Sequence, residues 1–145
     1  MTCRKQELQR GFTLVEIMVV VVIIGLLATA VLVNVVGRID ESRVTKAQTD
    51  ISALETTLEL YRLDNFQYPT TEQGLKALNQ KPADPNVTNW KGPYLKRSSK
   101  DPWGRDYVYT SPGEHGEFDL SSLGADGKPG GEKFDADIGN WNLEQ

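Results

Sequence analysis

The feature that most constrains this chain is a long apolar segment near its N-terminus. From Phe12 to Val36 the sequence reads FTLVEIMVVVVIIGLLATAVLVNVV, in which Glu16 is the only ionisable residue. As an α-helix with a rise of ~1.5 Å per residue, this segment would extend ~37 Å, whereas a hydrocarbon core is ~30 Å thick. The sequence therefore predicts a membrane-spanning helix over residues 12–36.

The charges around the apolar segment predict its orientation. Residues 1–11 carry Arg4, Lys5 and Arg10 against one acid, Glu7, and this net charge of about +2 favours the cytoplasmic side of a membrane. Since the whole chain has a formal charge of −4, the remaining, outward-facing residues carry about −6. An acidic portion of this kind gives no support to nucleic-acid binding, so we exclude nucleic acid as a partner.

A removable signal peptide is the alternative interpretation of this N-terminus. Ala28-Thr29-Ala30 matches a small-x-small cleavage pattern, and cleavage there would start the mature chain at Val31. However, the apolar run continues past this tripeptide and is much longer than the ~7–15 residues of a removed apolar region. The length therefore favours a helix that is retained.

The junction before the apolar segment carries a more specific motif. The hexapeptide GFTLVE, residues 11–16, places a glycine, an aromatic residue and a glutamate directly ahead of the long apolar run. This motif resembles the precursor motif of type IV pilins and type II secretion pseudopilins. The resemblance implies that residues 1–11 are a leader, that an inner-membrane prepilin peptidase cuts after Gly11, and that the new amine of Phe12 is methylated.

Glu16 needs a physical explanation of its own. A carboxylate inside an apolar membrane helix costs ~2.5–3.5 kcal/mol on insertion scales, so it is expected to be neutral or to have a positive partner. The resemblance implies that this partner is the Phe12 amine of a neighbouring subunit, which would fix the register of assembly. The alternative is a glutamate that lies at the membrane surface without such a role.

Beyond residue 36, apolar residues recur at alternating steps of three and four. This spacing places them on one face of an α-helix, and no proline interrupts the chain between Phe12 and Pro69. We predict one long helix from Phe12 to about Leu63 whose apolar face packs on its own domain, with a coiled-coil seam as the alternative. The face consists of Val44, Ala47, Ile51, Leu54, Leu58 and Tyr61.

The remainder of the chain resembles the major pseudopilins of type II secretion in four ordered blocks. Read from the residues alone, the first block predicts a short second helix capped by Thr70 or Thr71 with Glu72 or Gln73. Residues 107–109 and 118–120 alternate as two strands of a hairpin. These elements predict an α+β fold, and the resemblance implies that it is pilin-like, with a long N-terminal helix packed on a small antiparallel sheet and with a C-terminal calcium loop. The blocks are residues 63–78, 92–95, 101–109 and 123–127 with 137–141.

The C-terminal loop combines acidic residues with glycines. Calcium takes ~6–8 oxygen ligands from carboxylates and main-chain carbonyls, and a glycine-rich loop can supply both. The spacing does not fit the helix-loop-helix calcium pattern, so composition alone favours a hydrated acidic loop. The resemblance implies a bound calcium ion, held by the side chains of Asp126 and Asp137 and the main-chain oxygens of Leu123 and Lys128, with Asp135 as a further candidate ligand.

The single cysteine and the single histidine bear on which class of protein this chain belongs to. The single cysteine, Cys3, lies in the predicted leader, so the processed chain has no disulfide, and this favours a pseudopilin over a type IV pilin. His115 is the only histidine and lies in a glycine-rich loop, where we expect it to be exposed to solvent. Metal-protease, phosphate-loop and nucleophile-elbow motifs are absent from the sequence, so we expect no enzyme.

These observations predict a filament subunit. The leader is residues 1–11, the membrane and assembly segment is residues 12–36, and the outward head is residues 37–145. The resemblance implies polymerisation with its own copies, in contact with minor pseudopilins and the inner-membrane assembly platform, to form a periplasmic pseudopilus that exports folded proteins. The precursor would lie in the inner membrane with its N-terminus in the cytoplasm. The alternatives are a type IV pilus subunit and a membrane-anchored periplasmic enzyme.

Overall fold

The protein consists of one long helix followed by short elements. The computed structural model describes residues 11–98 and 100–143, and for residues 30–36 it describes the backbone alone. The long helix, α1, is Leu14–Asn65, which matches the predicted helix within two residues at each end. After it come the 3₁₀ helix Gly74–Leu78, strands β1 (Val108–Thr110) and β2 (Asp119–Ser122), the 3₁₀ helix Lys133–Asp135 and strand β3 (Ile138–Gly139).

The chain divides into two compact units, one ending at Arg38 and the other covering Ile39–Gln145. In the first unit the apolar side chains from Phe12 to Leu27 are exposed. Within the described part of the chain, no helix combines the length and the apolar character needed to cross a membrane. Apart from Gly11, the predicted leader lies outside the described residues, and the division at residues 12–36 and 37–145 stays a prediction.

The predicted apolar face of α1 forms the core of the second unit. Ala47, Ile51, Leu58 and Tyr61 are completely buried and Leu54 is nearly so, while Val44 packs against them at the edge. They belong to one buried cluster with residues of the sheet and of the first 3₁₀ helix. The prediction that this face packs on its own domain is confirmed. The other members of the cluster are Ala77, Leu78, Tyr107, Tyr109, Phe118, Leu120 and Ile138.

The three strands form one antiparallel sheet in the order β1-β2-β3. Tyr109 lies opposite Leu120, so their side chains share the buried face of the predicted hairpin. The short strand β3 continues the sheet through pairing of Ile138 with Ser122. The sequence analysis did not predict this last strand, because two residues are too few to show an alternating pattern.

The predicted capping box before the second helix forms between Thr70 and Gln73. The Gln73 N–H donates to Thr70 Oγ1 at 3.3 Å, and the Thr70 N–H donates to Gln73 Oε1 at 3.0 Å. This reciprocal pair closes the turn that leads into the 3₁₀ helix. The element that follows is a 3₁₀ helix of five residues, which is the short second helix that the sequence predicts.

In the second unit, four threonines of α1 donate their hydroxyls to the backbone of the helix itself. Thr45, Thr49, Thr56 and Thr57 each donate to the carbonyl oxygen four residues earlier, at 2.8–3.1 Å. Three of them, Thr45, Thr49 and Thr56, lie on the exposed side of the helix. Their hydroxyls are therefore satisfied by the backbone of their own helix.

Candidate functional site

The first candidate site is the start of α1. Thr13 precedes the helix, and its Oγ1 accepts the N–H of Glu16 at 3.3 Å. This bond provides an acceptor for one of the four N–H groups at the helix start that have no partner within the helix. Thr13 and Glu16 thus have the spacing of a capping box. The sequence analysis missed this role of Thr13, although the Thr-x-x-Glu spacing signals it.

The predicted processing residues are accessible. Gly11, Phe12 and Glu16 are all exposed, and the Phe12 side chain exposes 78% of its surface. Glu16 lies in the first turn of α1, where a negative charge is favoured by the helix dipole. The structure therefore offers two compatible reasons for a glutamate here: it stabilises the helix start, and its carboxylate is available to a partner.

The second candidate site is the loop between β2 and β3. Asp126 Oδ1 accepts the N–H of Lys128 at 3.0 Å, and Asp137 Oδ2 accepts the N–H of Gly130 at 2.8 Å. The Leu123 carbonyl oxygen accepts the N–H of Gly127 at 3.2 Å. Asp126 and Lys128 are exposed, whereas Leu123 and Asp137 are half-buried. The carboxylates of Asp126 and Asp137 thus already hold turns of this loop.

Asp135 closes the loop with its backbone. Gly124 has φ of +62°, and a Cβ built on it would lie 2.7 Å from the Asp135 carbonyl oxygen. Gly131 has φ of +95° and likewise leaves no room for a side chain against the Asp135 carbonyl. Only glycine combines this backbone conformation with such close approach. The Asp135 residue is itself exposed.

The loop carries carboxylate and main-chain oxygens, which are the ligand types that a hard cation such as calcium prefers. Asp137 Oδ1 is buried and has no hydrogen-bond partner among the described residues, although a buried carboxylate oxygen normally has one. The described residues hold no group of three Asp, Glu, His or Cys side chains that could bind a metal on their own. A calcium site here would therefore need main-chain oxygens, as the predicted ligand set does. The Leu123 carbonyl has a second lone pair for this purpose.

A salt bridge between Asp101 and Arg105, which the sequence analysis missed, supports the start of the candidate calcium loop. Asp101 has a side chain that is 1% exposed, and its Oδ2 lies 3.6 Å from Arg105 Nε. The Arg105 guanidinium donates to the carbonyl oxygens of Gly124 and Ala125. It also fills the space beside Gly127, where a Cβ would lie 2.6 Å from Nη1. Arg105 therefore ties the turn after Asp101 to the start of the candidate calcium loop.

His115 is exposed, as expected, but it makes specific contacts. Its ring stacks on that of Trp141 with a centroid distance of 4.1 Å and an angle of 6°. Its Nδ1 lies 2.9 Å from Asp119 Oδ2. The histidine thus joins the β1–β2 hairpin to the segment after β3, and this contact gives it a structural role.

Asp119 makes the hairpin sensitive to acid. Burial alone would raise the pKa of Asp119, but hydrogen bonds from His115 and from the Glu114 N–H outweigh burial and hold this pKa below its ordinary value. The ionised carboxylate therefore stabilises the fold above the unfolded-state pKa of ~3.9, and this stabilisation is lost as the pH falls through the lower, folded-state pKa.

Thermal midpoints of the parent and Asp119→Asn, measured from ~pH 6 to ~pH 2, should differ most at the upper end and converge in acid.

The exposed Asp106 provides the control for this titration. Its carboxylate pairs with Lys100 at the surface, where such pairs contribute ~0–1 kcal/mol, so Asp106→Asn should change the midpoint little at every pH measured. A constant difference between the parent and Asp119→Asn across this pH range would contradict the prediction.

Comparison with known proteins identifies the family. The family model for type II secretion system protein G matches residues 34–141. The chain belongs to the type II secretion system protein G family. The model of the prokaryotic N-terminal methylation motif matches residues 8–32. The chain is 54% identical to core protein G of Vibrio cholerae over 97% of both chains. It is 57% identical to that of Pseudomonas aeruginosa over 92% of this chain and 96% of the relative.

The protein G family also matches by structure. The crystal structure of the major pseudopilin of enterohaemorrhagic Escherichia coli superimposes with a TM-score of 0.67 and 46% identity, over 75% of this chain and 91% of that one. Family membership confirms the predicted pilin-like α+β fold and the predicted role as a structural subunit of the type II secretion pseudopilus. The calcium ion and the roles of Gly11, Phe12 and Glu16 stay predictions.

Proposed function

We propose that this chain is made as an inner-membrane precursor, is cut after Gly11 and methylated on Phe12, and polymerises into a periplasmic filament that drives folded proteins across the outer membrane. The observation that carries this proposal is the continuous exposed apolar surface at the start of α1, from Phe12 to Leu27. Exposing apolar surface to water costs ~25 cal/mol per Å². A helix covered with apolar side chains is therefore unstable in water. Such a helix needs lipid before assembly and neighbouring helices after it.

Glu16 would direct the step from lipid to filament. Moving an apolar helix from lipid into a bundle of helices gains little from the hydrophobic effect, so packing and polar contacts decide the register. A carboxylate that meets a protonated amine in such surroundings is strongly favoured over one left alone. Methylation leaves the Phe12 amine protonated and able to donate. The partners proposed for this step are further copies of the chain, the minor pseudopilins and the assembly platform.

The head would be completed by calcium in the loop after β2. Asp126 and Asp137 would supply carboxylate oxygens, and Leu123 and Lys128 would supply main-chain oxygens, with Asp135 as a further ligand. The buried Asp137 Oδ1, which has no hydrogen-bond partner in the described part of the chain, supports this proposal. A divalent ion there adds positive charge and joins two turns of an otherwise irregular segment.

Glu16→Ala tests the assembly step. Cutting after Gly11 should remain intact, because the peptidase acts at the junction and the substitution makes the helix more apolar. Filament yield should fall at least ~10-fold, which corresponds to the loss of a pair worth ~1.4 kcal/mol or more. The measurement is filament imaging after overproduction, together with mass analysis of the mature N-terminus.

Gly11→Ala is the control that separates processing from assembly. It should leave uncut precursor in the inner membrane and stop secretion, because the peptidase must accommodate the residue before the cut. Parent chains that begin at methylated Phe12 agree with the proposal, whereas a mature chain beginning at Val31 would refute it. Full assembly of Glu16→Ala would remove the register role.

A further inference from the structure

Three exposed apolar side chains lie at the C-terminal end of α1. Leu60, Leu63 and Phe66 expose 50%, 71% and 83% of their surfaces. Leu60 and Leu63 are three residues apart and therefore lie on the same side of the helix. Phe66 follows directly after the last helical residue. We refer to these three residues as the helix-end patch.

Phe66 occupies a backbone position that normally belongs to glycine. Its φ is +63°, and its N–H donates to the Arg62 carbonyl oxygen at 2.7 Å, which closes the end of the helix. Glycine adopts this left-handed conformation without steric cost, and an aromatic residue does not. The side chain gains no burial in return within the described residues. An outlier of this kind points to a role outside the fold of the subunit.

The charged groups around the patch are already paired. Arg62 binds Glu117 at 2.7 Å, and Lys91 binds Asp64 at 2.8 Å. An apolar centre within a satisfied polar rim is the usual anatomy of a protein interface. Because the side chains of the patch are themselves apolar, the matching surface should be apolar too.

Symmetry limits which surface of another copy can cover the patch. A filament of identical subunits is built from head-to-tail contacts, so a patch meets a different surface of its neighbour. The other extended apolar surface among the described residues is the start of α1, from Phe12 to Leu27. We propose that the helix-end patch of one copy binds the apolar N-terminal half of α1 of another copy. This inference rests on the proposed filament assembly.

Site-specific photocrosslinking in cells tests the contact. The full chain with p-benzoylphenylalanine at position 66 should give a cross-linked dimer, and mass spectrometry should place the link within residues 12–29 of the second copy. The same probe at the exposed Glu114 should give no link to that segment. A link from position 66 to the head of another copy, or to a different protein, would overturn the inference.

Phe66→Gly separates assembly from folding. The glycine suits the left-handed backbone, so the thermal midpoint of the head should stay equal or rise, while filament yield falls several-fold. Leu63→Ser should lower the yield in the same way. The matched control is Val108→Ser, which removes an exposed apolar side chain outside the patch and should leave the yield unchanged.

The outcomes distinguish this inference from the proposed function. Normal assembly of Phe66→Gly and Leu63→Ser would refute the contact proposed for the helix-end patch and would not affect the proposed filament function. Absence of filaments from the parent chain would overturn the filament, and with it the patch. Reduced yield in both patch variants, with unchanged melting of Phe66→Gly, supports the proposed contact.

Discussion

Replacing Asp101 with alanine is expected to cost the head about 2–4 kcal/mol, because each buried donor left without its acceptor costs ~1–3 kcal/mol. The carboxylate accepts the N–H groups of Trp103 and Arg105 at 3.1 and 2.7 Å and the Ser122 hydroxyl at 2.8 Å. Alanine would leave these three donors without their acceptor and would remove the negative charge beside the Arg105 guanidinium. Domains of this size are stable by only ~5–15 kcal/mol, so the thermal midpoint of a fragment beginning at Arg38 should fall by ~10 °C or more.

Asp106→Ala is the matched control, since it removes the same group five residues away. Asp106 pairs with Lys100, but its side chain is 73% exposed, and such pairs contribute ~0–1 kcal/mol. Its midpoint should lie within a few degrees of the parent. Equal midpoints for Asp101→Ala and the parent would show that the buried carboxylate does not hold this turn.

Calcium removal is expected to produce the second large effect. In ~10 mM calcium, about 100 times a dissociation constant of ~10⁻⁴ M, binding would stabilise the head by ~2.7 kcal/mol. A chelator should then lower the thermal midpoint by roughly 10 °C. Asp126→Ala should begin at the lower midpoint and gain little from added calcium.

The neighbouring Glu132 provides the control for charge. It is exposed in the same loop and is not a predicted ligand, so Glu132→Ala should keep the full response to calcium. Equal midpoints with and without calcium, or equal responses of the parent and Asp126→Ala, would return the loop to the interpretation of a hydrated acidic segment.

Periodic elements were predictable from the sequence. Ile51 and Leu58 lie two helical turns apart, and the spacing of such residues indicates both the helix and its buried face. The alternation at residues 107–109 likewise predicted β1 within one residue. Both signals are local, because helix and strand geometry repeat every few residues.

The contacts of irregular segments were not predictable in this way. Arg105 reaches carbonyls some twenty residues further along the chain, and His115 stacks on Trp141. No periodicity links such pairs, since their positions depend on how the loops pack. For the same reason the candidate calcium ligands came from family resemblance. The link from Asp101 through Arg105 to the candidate calcium loop was found only in the structure.

The internally bonded threonines of α1 have a consequence for any surface that packs against them. Thr45, Thr49 and Thr56 turn their hydroxyls back onto the helix, so these three positions offer a neighbour methyl groups in place of free hydroxyl donors. Contacts between methyl surfaces vary smoothly with position, whereas hydrogen bonds break when donor and acceptor shift. At these three positions a neighbouring surface could therefore shift slightly along the helix axis without breaking a hydrogen bond.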